Sequence, residues 1–222
     1  KIVAALHRIG VDRVYDTSVS ADLTIMEESA EFLEFHAKNL GMPMFTSCCP
    51  GWIRFVETKY PEIMPYVSTS RSPMHMLSSV IIESEKDNGM NNFNFAVMPC
   101  TAKKFEADRE EFKHDGKPEV DAVLTTQELI RMIKTAGIDF ENIAPEAVDA
   151  PFGMFSGGGV IFGATGGVTE AVLRRVSTEK THDAITAIGN CGVRGLEGIK
   201  EFSVPLGEGE LRIAVASGLA NA

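Results

Sequence analysis

Hydrophobic and polar positions in the first 136 residues follow a two-residue period in some stretches and a 3.6-residue period in others. This pattern predicts strands and helices in turn. The strand-like stretches are short and apolar, at 13–16, 44–47, 93–98 and 120–125. The helical periods lie at 1–9, 22–39, 51–66, 72–86 and 127–136. A rhythm of this kind predicts a parallel sheet of about four strands with helices on both faces.

The pattern changes after Gly137, where segments with Pro and Gly lead to a helix at 169–175 and to strands at 201–205 and 211–216. We interpret these strands as part of a second sheet that is incomplete. The predicted fold is therefore α/β with two lobes, 1–136 and 137–222. Each lobe is expected to hold a mostly parallel sheet flanked by helices, with the active site between the lobes. Because the sequence begins with Lys1, we expect it to be a piece of a longer protein.

Composition limits the partners that the chain can have. A chain of 222 residues with 44% hydrophobic residues can bury a substantial core. The formal charge of −10 opposes binding to the phosphates of nucleic acids. No apolar run approaches the roughly 18 residues of a membrane helix, so no membrane partner is predicted. Four cysteines do not make a disulfide scaffold, which favours a cytoplasmic location, although a missing amino terminus leaves periplasmic export open.

Two strand-to-helix corners carry cysteines. Cys48 and Cys49 are adjacent, and because neighbouring cysteines seldom form a disulfide with each other, we interpret them as one metal ligand and one free thiol. Pro50 suits the first position of the helix that follows. At the second corner, Cys100 follows a strand, and Lys103 lies one helical turn later, near whatever Cys100 binds. Such corners are where an α/β sheet binds ligands.

The segments 46–52 and 98–106 resemble the first and second signature motifs of the iron-only hydrogenases, and the resemblance extends over nearly the whole chain. It implies a catalytic centre, the H-cluster, in which a 4Fe-4S cluster is joined to a two-iron site with CO and cyanide ligands. Cys49 and Cys100 are then cluster ligands, Cys48 carries protons to the two-iron site, and Lys103 bonds a cyanide. The remaining positions that match the cofactor pocket are Ser72, Pro73, Met98, Glu106 and Phe162.

Glu28 and Glu31 are three residues apart on a predicted helix. By itself this spacing is typical of a solvated acidic face. The family resemblance instead implies a proton route through Glu28, Glu31 and Ser68 to Cys48. Phe35 stands where relatives have an arginine, which leaves the outer end of the route undefined.

The resemblance also implies the reaction, in which two protons and two electrons are reversibly converted to dihydrogen. Ferredoxin or a similar carrier is the expected electron partner. The family has a third motif with two more cluster cysteines and an amino-terminal ferredoxin-like part, and neither occurs in this sequence. We therefore expect these 222 residues alone to bind the H-cluster incompletely or not at all and to be inactive. Cys191 lies outside the motifs, and we expect a buried, unreactive thiol.

Alternatives to a hydrogenase remain open at this point. A non-catalytic relative in iron-sulfur assembly or sensing would keep a cluster but would not need a proton route. A cysteine-dependent phosphatase is suggested by the spacing of Cys48 and Arg54, but Pro50 has no N–H for phosphate and Trp52 is too bulky for such a loop. The glycine-rich segments 156–159 and 163–167 predict close backbone packing rather than a phosphate site.

Overall fold

The computed structural model describes residues 1–38, 41–85, 92–177, 182–190, 192–195, 198–206 and 209–222. The helices are α1 (Ile2–Ile9), α2 (Ser18–Lys38), α3 (Pro50–Lys59), α4 (Pro73–Glu85), α5 (Ala102–Ala107), α6 (Thr126–Thr135), α7 (Gly157–Ile161), α8 (Gly167–Val176) and α9 (His182–Asn190). The strands are β1 (Phe95–Met98), β2 (Lys113–His114), β3 (Lys117–Pro118), β4 (Ala122–Thr125), β5 (Ile199–Leu206) and β6 (Gly209–Ala216). Short 3-10 helices occupy Pro61–Tyr66 and Glu110–Phe112.

The predicted α/β class is confirmed. The parallel sheet in the described residues has two strands, however, and four were predicted. Residues 13–16 are not a strand, because the Val14 N–H donates to the Asp149 carboxylate at 2.7 Å and the Val14 carbonyl accepts from the Asp149 N–H at 2.9 Å. The segment 44–47 contributes only one parallel bridge, from Phe45 to Val67. Short apolar stretches become strands only where a partner strand lies beside them.

The described chain forms two compact units. The first unit comprises residues 1–19 and 74–154, and the second comprises 20–73 and 155–222. Both units take segments from either side of residue 136, and the predicted lobes, 1–136 and 137–222, stay a prediction.

The first unit is built on a parallel pair of strands, β1 and β4, in register from Phe95 with Ala122 to Met98 with Thr125. Successive side chains of β1 point to opposite faces. Phe95 and Val97 pack against a core formed by residues of α1 and α6, whereas Ala96 and Met98 pack against Met74, Ala107, Val120 and Val123. The helices therefore cover both faces of this small sheet, as predicted.

Helix α6 begins directly after β4 because its first turn is capped. The Thr125 hydroxyl accepts from the Glu128 N–H at 3.2 Å, and the Glu128 carboxylate accepts from the Thr125 N–H at 2.7 Å. This reciprocal capping box satisfies two backbone donors that the helix cannot use internally. The Lys104 ammonium, which donates to Glu128 at 2.8 Å, and the bonds from Thr125 lower the pKa of Glu128 to about 2.

The second unit ends in an antiparallel hairpin, β5 with β6, in register from Ile199 with Ala216 to Leu206 with Gly209. The two strands were predicted, with bounds within two residues of those observed, but their antiparallel pairing differs from the mostly parallel sheet that we expected. Alternate residues of the hairpin face a core that includes Val204, Val215 and Leu173 of α8. In the part of the chain that the structure describes, no helix combines the length and the apolar character that crossing a bilayer requires.

Gly166 and Gly167, at the start of α8, lie against neighbouring backbone. A Cβ on Gly167 would lie 1.7 Å from the carbonyl oxygen of Ile161, and one on Gly166 would lie 2.2 Å from that of Val193. Gly166 also has a positive φ of 84°, which side chains disfavour. The close backbone packing predicted for this segment is therefore confirmed at these two positions.

We expect Gly167→Ala to lower the free energy of unfolding by about 3 kcal/mol or more, because the new methyl group must displace backbone rather than a flexible side chain. Gly163→Ala is the matched control, since a Cβ there meets its nearest atom at 3.9 Å. Urea denaturation of both variants measures the difference. Equal stability of the two would contradict the close approach at Gly167.

Candidate functional site

The first cysteine pair lies at the amino end of α3 in the second unit. Cys49 is the N-cap residue and Pro50 occupies the first turn, as the sequence predicted. The Ile53 N–H donates to the Cys49 carbonyl at 3.0 Å, which begins the helix at the cysteine itself. Cys49 is exposed and Cys48 is half-buried, so the two neighbouring thiols occupy different environments.

Aromatic packing and strand-like bonds hold this corner in place. The Trp52 ring lies 5.7 Å from that of Phe45 and 6.3 Å from that of Phe55, which anchors α3 to the segment before the cysteines. The Phe45 carbonyl accepts from the Ser68 N–H at 2.7 Å. Residues 45–48 therefore run beside residues 67–70.

The acidic pair of α2 belongs to the same unit. Glu28 is 2% exposed, and neither of its carboxylate oxygens has a partner in hydrogen-bond geometry among the described residues. Glu31, one turn later, is half-buried. Glu27 and Glu34 on the same helix are exposed. The two glutamates that the family resemblance selects are thus distinguished by burial from their neighbours.

Burial, together with the nearby Glu31 carboxylate, raises the pKa of Glu28 to about 7. The Ser47 backbone and the Ser68 hydroxyl favour the charged form but do not offset these effects. At neutral pH Glu28 is therefore close to half-protonated. A carboxyl group in this state can both accept and release a proton.

A hydroxyl network connects Glu31 to the cysteine segment. The Ser68 hydroxyl donates to Glu31 Oε2 at 2.5 Å, and it accepts from the Ser70 N–H at 3.1 Å. Thr69 donates to Glu31 Oε1 from its N–H at 2.8 Å and from its hydroxyl at 2.9 Å. The Ser47 hydroxyl, next to Cys48, donates to the Ser70 carbonyl at 2.5 Å.

Sequence analysis selected Ser68 for this network but missed Ser47, Thr69 and Ser70. The available signal was the consecutive hydroxyl residues at 68–70, although such a run is also common in surface turns. At the outer end, Phe35 packs against Tyr66 with ring centroids 6.4 Å apart. Within the described ranges, Glu31 has no ion-pair partner.

The raised pKa of Glu28 predicts how stability depends on pH. Between the unfolded value of 4.5 and the folded value of about 7, the native state retains a proton that the unfolded state has lost, so stability falls as pH rises through this window. The loss is complete above about pH 7 and amounts to about 3 kcal/mol.

We therefore expect Glu28→Gln to match the wild type in urea denaturation near pH 4 and to exceed its stability at pH 8. Glu27→Gln, at an exposed neighbour, is the control and should show no such difference. A wild-type stability that does not decline relative to Glu28→Gln between these pH values would contradict the buried, neutral carboxyl.

The second cysteine corner lies in the first unit, directly after β1. Cys100 is exposed, and its carbonyl accepts from the Lys103 N–H at 3.4 Å as the chain turns into α5. The Lys103 ammonium donates to Glu106 Oε2 at 2.6 Å, with side-chain exposures of 11% and 7%. Glu106, which the motif placed among the cofactor-binding positions, thus orients Lys103 by a short, largely buried ion pair.

The other predicted pocket positions are distributed over both units. Ser72 is 3% exposed, and its hydroxyl has no hydrogen-bond partner among the described residues. Pro73 begins α4, Met98 ends β1, and Phe162 follows α7 and is half-buried. Cys191 lies outside the described residues, and so does its predicted burial.

The donor chemistry fits an iron-sulfur cluster in part. Cys49 and Cys100 are exposed residues, and their thiols are the donors that such clusters use. However, no three His, Cys, Asp or Glu side chains in the described part of the chain are grouped so that they could hold a metal ion. Each of these thiols can therefore serve as one cluster ligand, and a four-thiolate set requires further ligands.

Two alternative interpretations of the motifs do not match the local structure. Residues 50–54 are the first turns of α3, so the segment from Cys48 to Arg54 is not an open phosphate-binding loop. At the amino end of α7, the Ser156 hydroxyl accepts from the N–H groups of Gly158 and Gly159. Ser156 also bonds the Asp22 carboxylate twice, at 2.5 Å, which places a negative charge where a phosphate would bind.

Comparisons with known proteins give consistent relatives. All 222 residues match the family described as iron only hydrogenase large subunit, C-terminal domain. The chain is 43% identical to the NADP-reducing hydrogenase subunit HndD of Solidesulfovibrio fructosivorans, over 100% of this chain and 40% of that protein. The solved structure of apo FeFe-hydrogenase HydA1 from Chlamydomonas reinhardtii matches with a TM-score of 0.76 and 33% identity, covering 98% of this chain and 63% of that one.

The chain is also similar to a protein whose role is not that of a hydrogenase. The cytosolic Fe-S cluster assembly factor narfl of Xenopus tropicalis is 32% identical over 81% of this chain and 40% of that protein. The chain thus spans about two fifths of the length of these curated relatives.

Proposed function

Since the chain belongs to the iron-only hydrogenase large-subunit family, we propose that it supplies part of the catalytic domain of a hydrogenase. The reaction is the reversible conversion of two protons and two electrons to dihydrogen, with a ferredoxin-like carrier as the electron partner. The observation that carries this proposal is the buried Glu28 carboxyl, which lies in the same unit as Cys48 and the hydrogen-bonded pair of Glu31 and Ser68. A protein that only held a cluster would not need a buried glutamate near its first cysteine.

Cys49 and Cys100 would hold the 4Fe-4S part of the H-cluster, and the Lys103 ammonium, oriented by Glu106, would donate to a cyanide of the two-iron site. When bound, this group would relay electrons from the carrier and supply the metal centre for the reaction. The Lys103–Glu106 pair is held at 2.6 Å within a single helical turn, so the ammonium is positioned before any cofactor binds.

The chain's own contribution to proton transfer runs from Glu31 inward. Glu31 Oε2 lies 2.5 Å from the Ser68 oxygen. When Glu31 is protonated, the Ser68 hydroxyl turns to accept that proton and releases its own toward Glu28. Exposure decreases along this route, from the half-buried Glu31 to Ser68 at 6% and Glu28 at 2%. Glu28, with a pKa of about 7, then exchanges protons with the Cys48 thiol.

A role in iron-sulfur assembly is the second candidate, because an assembly factor is among the similar proteins. A hydrogenase and an assembly factor differ in the metal group that the protein binds. We expect the complete polypeptide that contains this chain, matured anaerobically, to show infrared bands of metal-bound carbonyl and cyanide and to evolve hydrogen with a chemical reductant. Cluster absorption without those bands and without hydrogen would assign the chain to assembly or sensing.

We further expect the 222 residues alone to fold but to evolve no hydrogen, because Cys49 and Cys100 supply only two of four cluster thiolates. The measurement is iron analysis and gas chromatography after anaerobic reconstitution, with the complete polypeptide as the positive control. Sustained hydrogen production with about six irons per chain would show that no further ligands are required.

A further inference from the structure

Glu31 is held by more donors than a proton relay requires. Its Oε2 atom accepts from the Ser68 hydroxyl at 2.5 Å, which is the bond that the proposed route uses. Its Oε1 atom accepts from both the N–H and the hydroxyl of Thr69, at 2.8 and 2.9 Å. Thr69 thus donates two hydrogen bonds to Oε1, and Oε2 accepts from Ser68.

The orientation of a glutamate carboxylate is otherwise weakly defined. Rotation about its terminal bond has broad minima, so neither oxygen is selected by the side chain itself. Two donors from one residue fix the plane of the group and distinguish its two oxygens. The Ser68 hydroxyl accepts from the Ser70 N–H at 3.1 Å and donates its one proton to Glu31 Oε2.

Because Thr69 and Glu31 are near solvent, the two hydrogen bonds from Thr69 are needed to keep the Glu31 carboxylate in one orientation. Thr69 is exposed and Glu31 is half-buried, whereas Ser68 and Glu28 are buried. Water can therefore compete for the outer oxygen of Glu31. A water molecule that replaced the threonine hydroxyl would keep a bond but would not keep the carboxylate in one orientation.

We propose that Thr69 is a positioning residue for proton transfer, which fixes the Glu31 carboxylate so that Oε2 faces the Ser68 hydroxyl. The inference rests on the proposed function, because it assigns Thr69 a part in the same route. Thr69 does not itself carry the proton. It acts through the orientation of Glu31.

The test uses Thr69→Val, which removes the hydroxyl at nearly constant volume, and Thr69→Ser, which restores it. Thr58→Val is the matched control, because the Thr58 hydroxyl bonds only its own helix, at the Arg54 and Phe55 carbonyls. Hydrogen turnover of the complete polypeptide is expected to fall about tenfold in Thr69→Val, as for loss of one hydrogen bond to a charged group. Thr69→Ser and Thr58→Val should retain turnover.

A second measurement does not depend on the cofactor. The side-chain carboxyl carbon of Glu31 is observed by NMR in the cofactor-free chain labelled with 13C-glutamate, with Glu31→Gln providing the assignment. We expect its resonance to move in Thr69→Val and to return in Thr69→Ser. If Thr69→Val does not fold, as judged by urea denaturation, Thr69→Ala takes its place.

An unmoved Glu31 resonance in Thr69→Val would overturn the inference, and so would a moved resonance with full hydrogen turnover. Absence of hydrogen turnover in the wild type would instead remove the proposed function, while the NMR measurement would still report whether Thr69 holds Glu31. The two failures are therefore distinguishable.

Discussion

Cys48→Ala in the complete polypeptide is expected to lower hydrogen turnover by about three orders of magnitude while iron content stays at the wild-type level. Cys48 is half-buried, one residue from the helix, whereas Cys49 is the exposed N-cap. The variant removes the half-buried thiol and leaves the exposed thiol intact. Cys48→Ala therefore removes a step of proton transfer and keeps the cluster ligand Cys49.

The measurement pairs a hydrogen-evolution assay with iron analysis and electron paramagnetic resonance of the cluster. Thr46→Val, at an exposed residue of the same segment, is the control and should keep both turnover and iron. Loss of iron in Cys48→Ala would exchange the proposed roles of the two cysteines. Wild-type turnover would remove Cys48 from the route altogether.

Cys49→Ser and Cys100→Ser are each expected to abolish assembly of the cluster, and with it all hydrogen turnover. A serine hydroxyl is a poor replacement for a thiolate at an iron-sulfur corner. The two cysteines belong to different units of the chain. Among the described residues, Cys49→Ser leaves only the Cys48 thiol at its corner, and Cys100→Ser leaves no thiol at its own.

The control for this pair is Cys191→Ser, at a cysteine outside both motifs, which we expect to retain iron and activity. Iron analysis and cluster absorption after anaerobic maturation provide the measurement. Normal iron content in either Cys49→Ser or Cys100→Ser would refute the ligand assignment for that residue.

Several elements could be predicted because their signals are local. Pro50 begins α3 because its fixed φ suits a first helical turn, and Thr125 with Glu128 caps α6 through groups three residues apart. The predicted strands at 13–16 and 44–47 were wrong, because a strand also needs a neighbour, and these segments have only a loop carboxylate or a single bridge beside them.

The glutamates of α2 also show that a local sequence pattern does not determine what a residue packs against. Their spacing permits a shared face, but it does not tell whether that face is buried. Packing makes Glu28 2% exposed and raises its pKa to about 7, while Glu27 and Glu34 stay in solvent. Family resemblance selected Glu28 and Glu31, which are buried and half-buried in the structure, whereas the residues by themselves favoured a solvated face.

The sequence alone determined the family, the two cysteine corners and the helices that begin at them, because motif residues and helix caps act over a few positions. Only the tertiary structure decided the protonation of Glu28 and the hold of Thr69 on Glu31. Burial and hydrogen bonding between α2 and residues 68–69 join groups 37 and 38 positions apart. Side chains so distant in sequence acquire their electrostatic environment only when the chain packs.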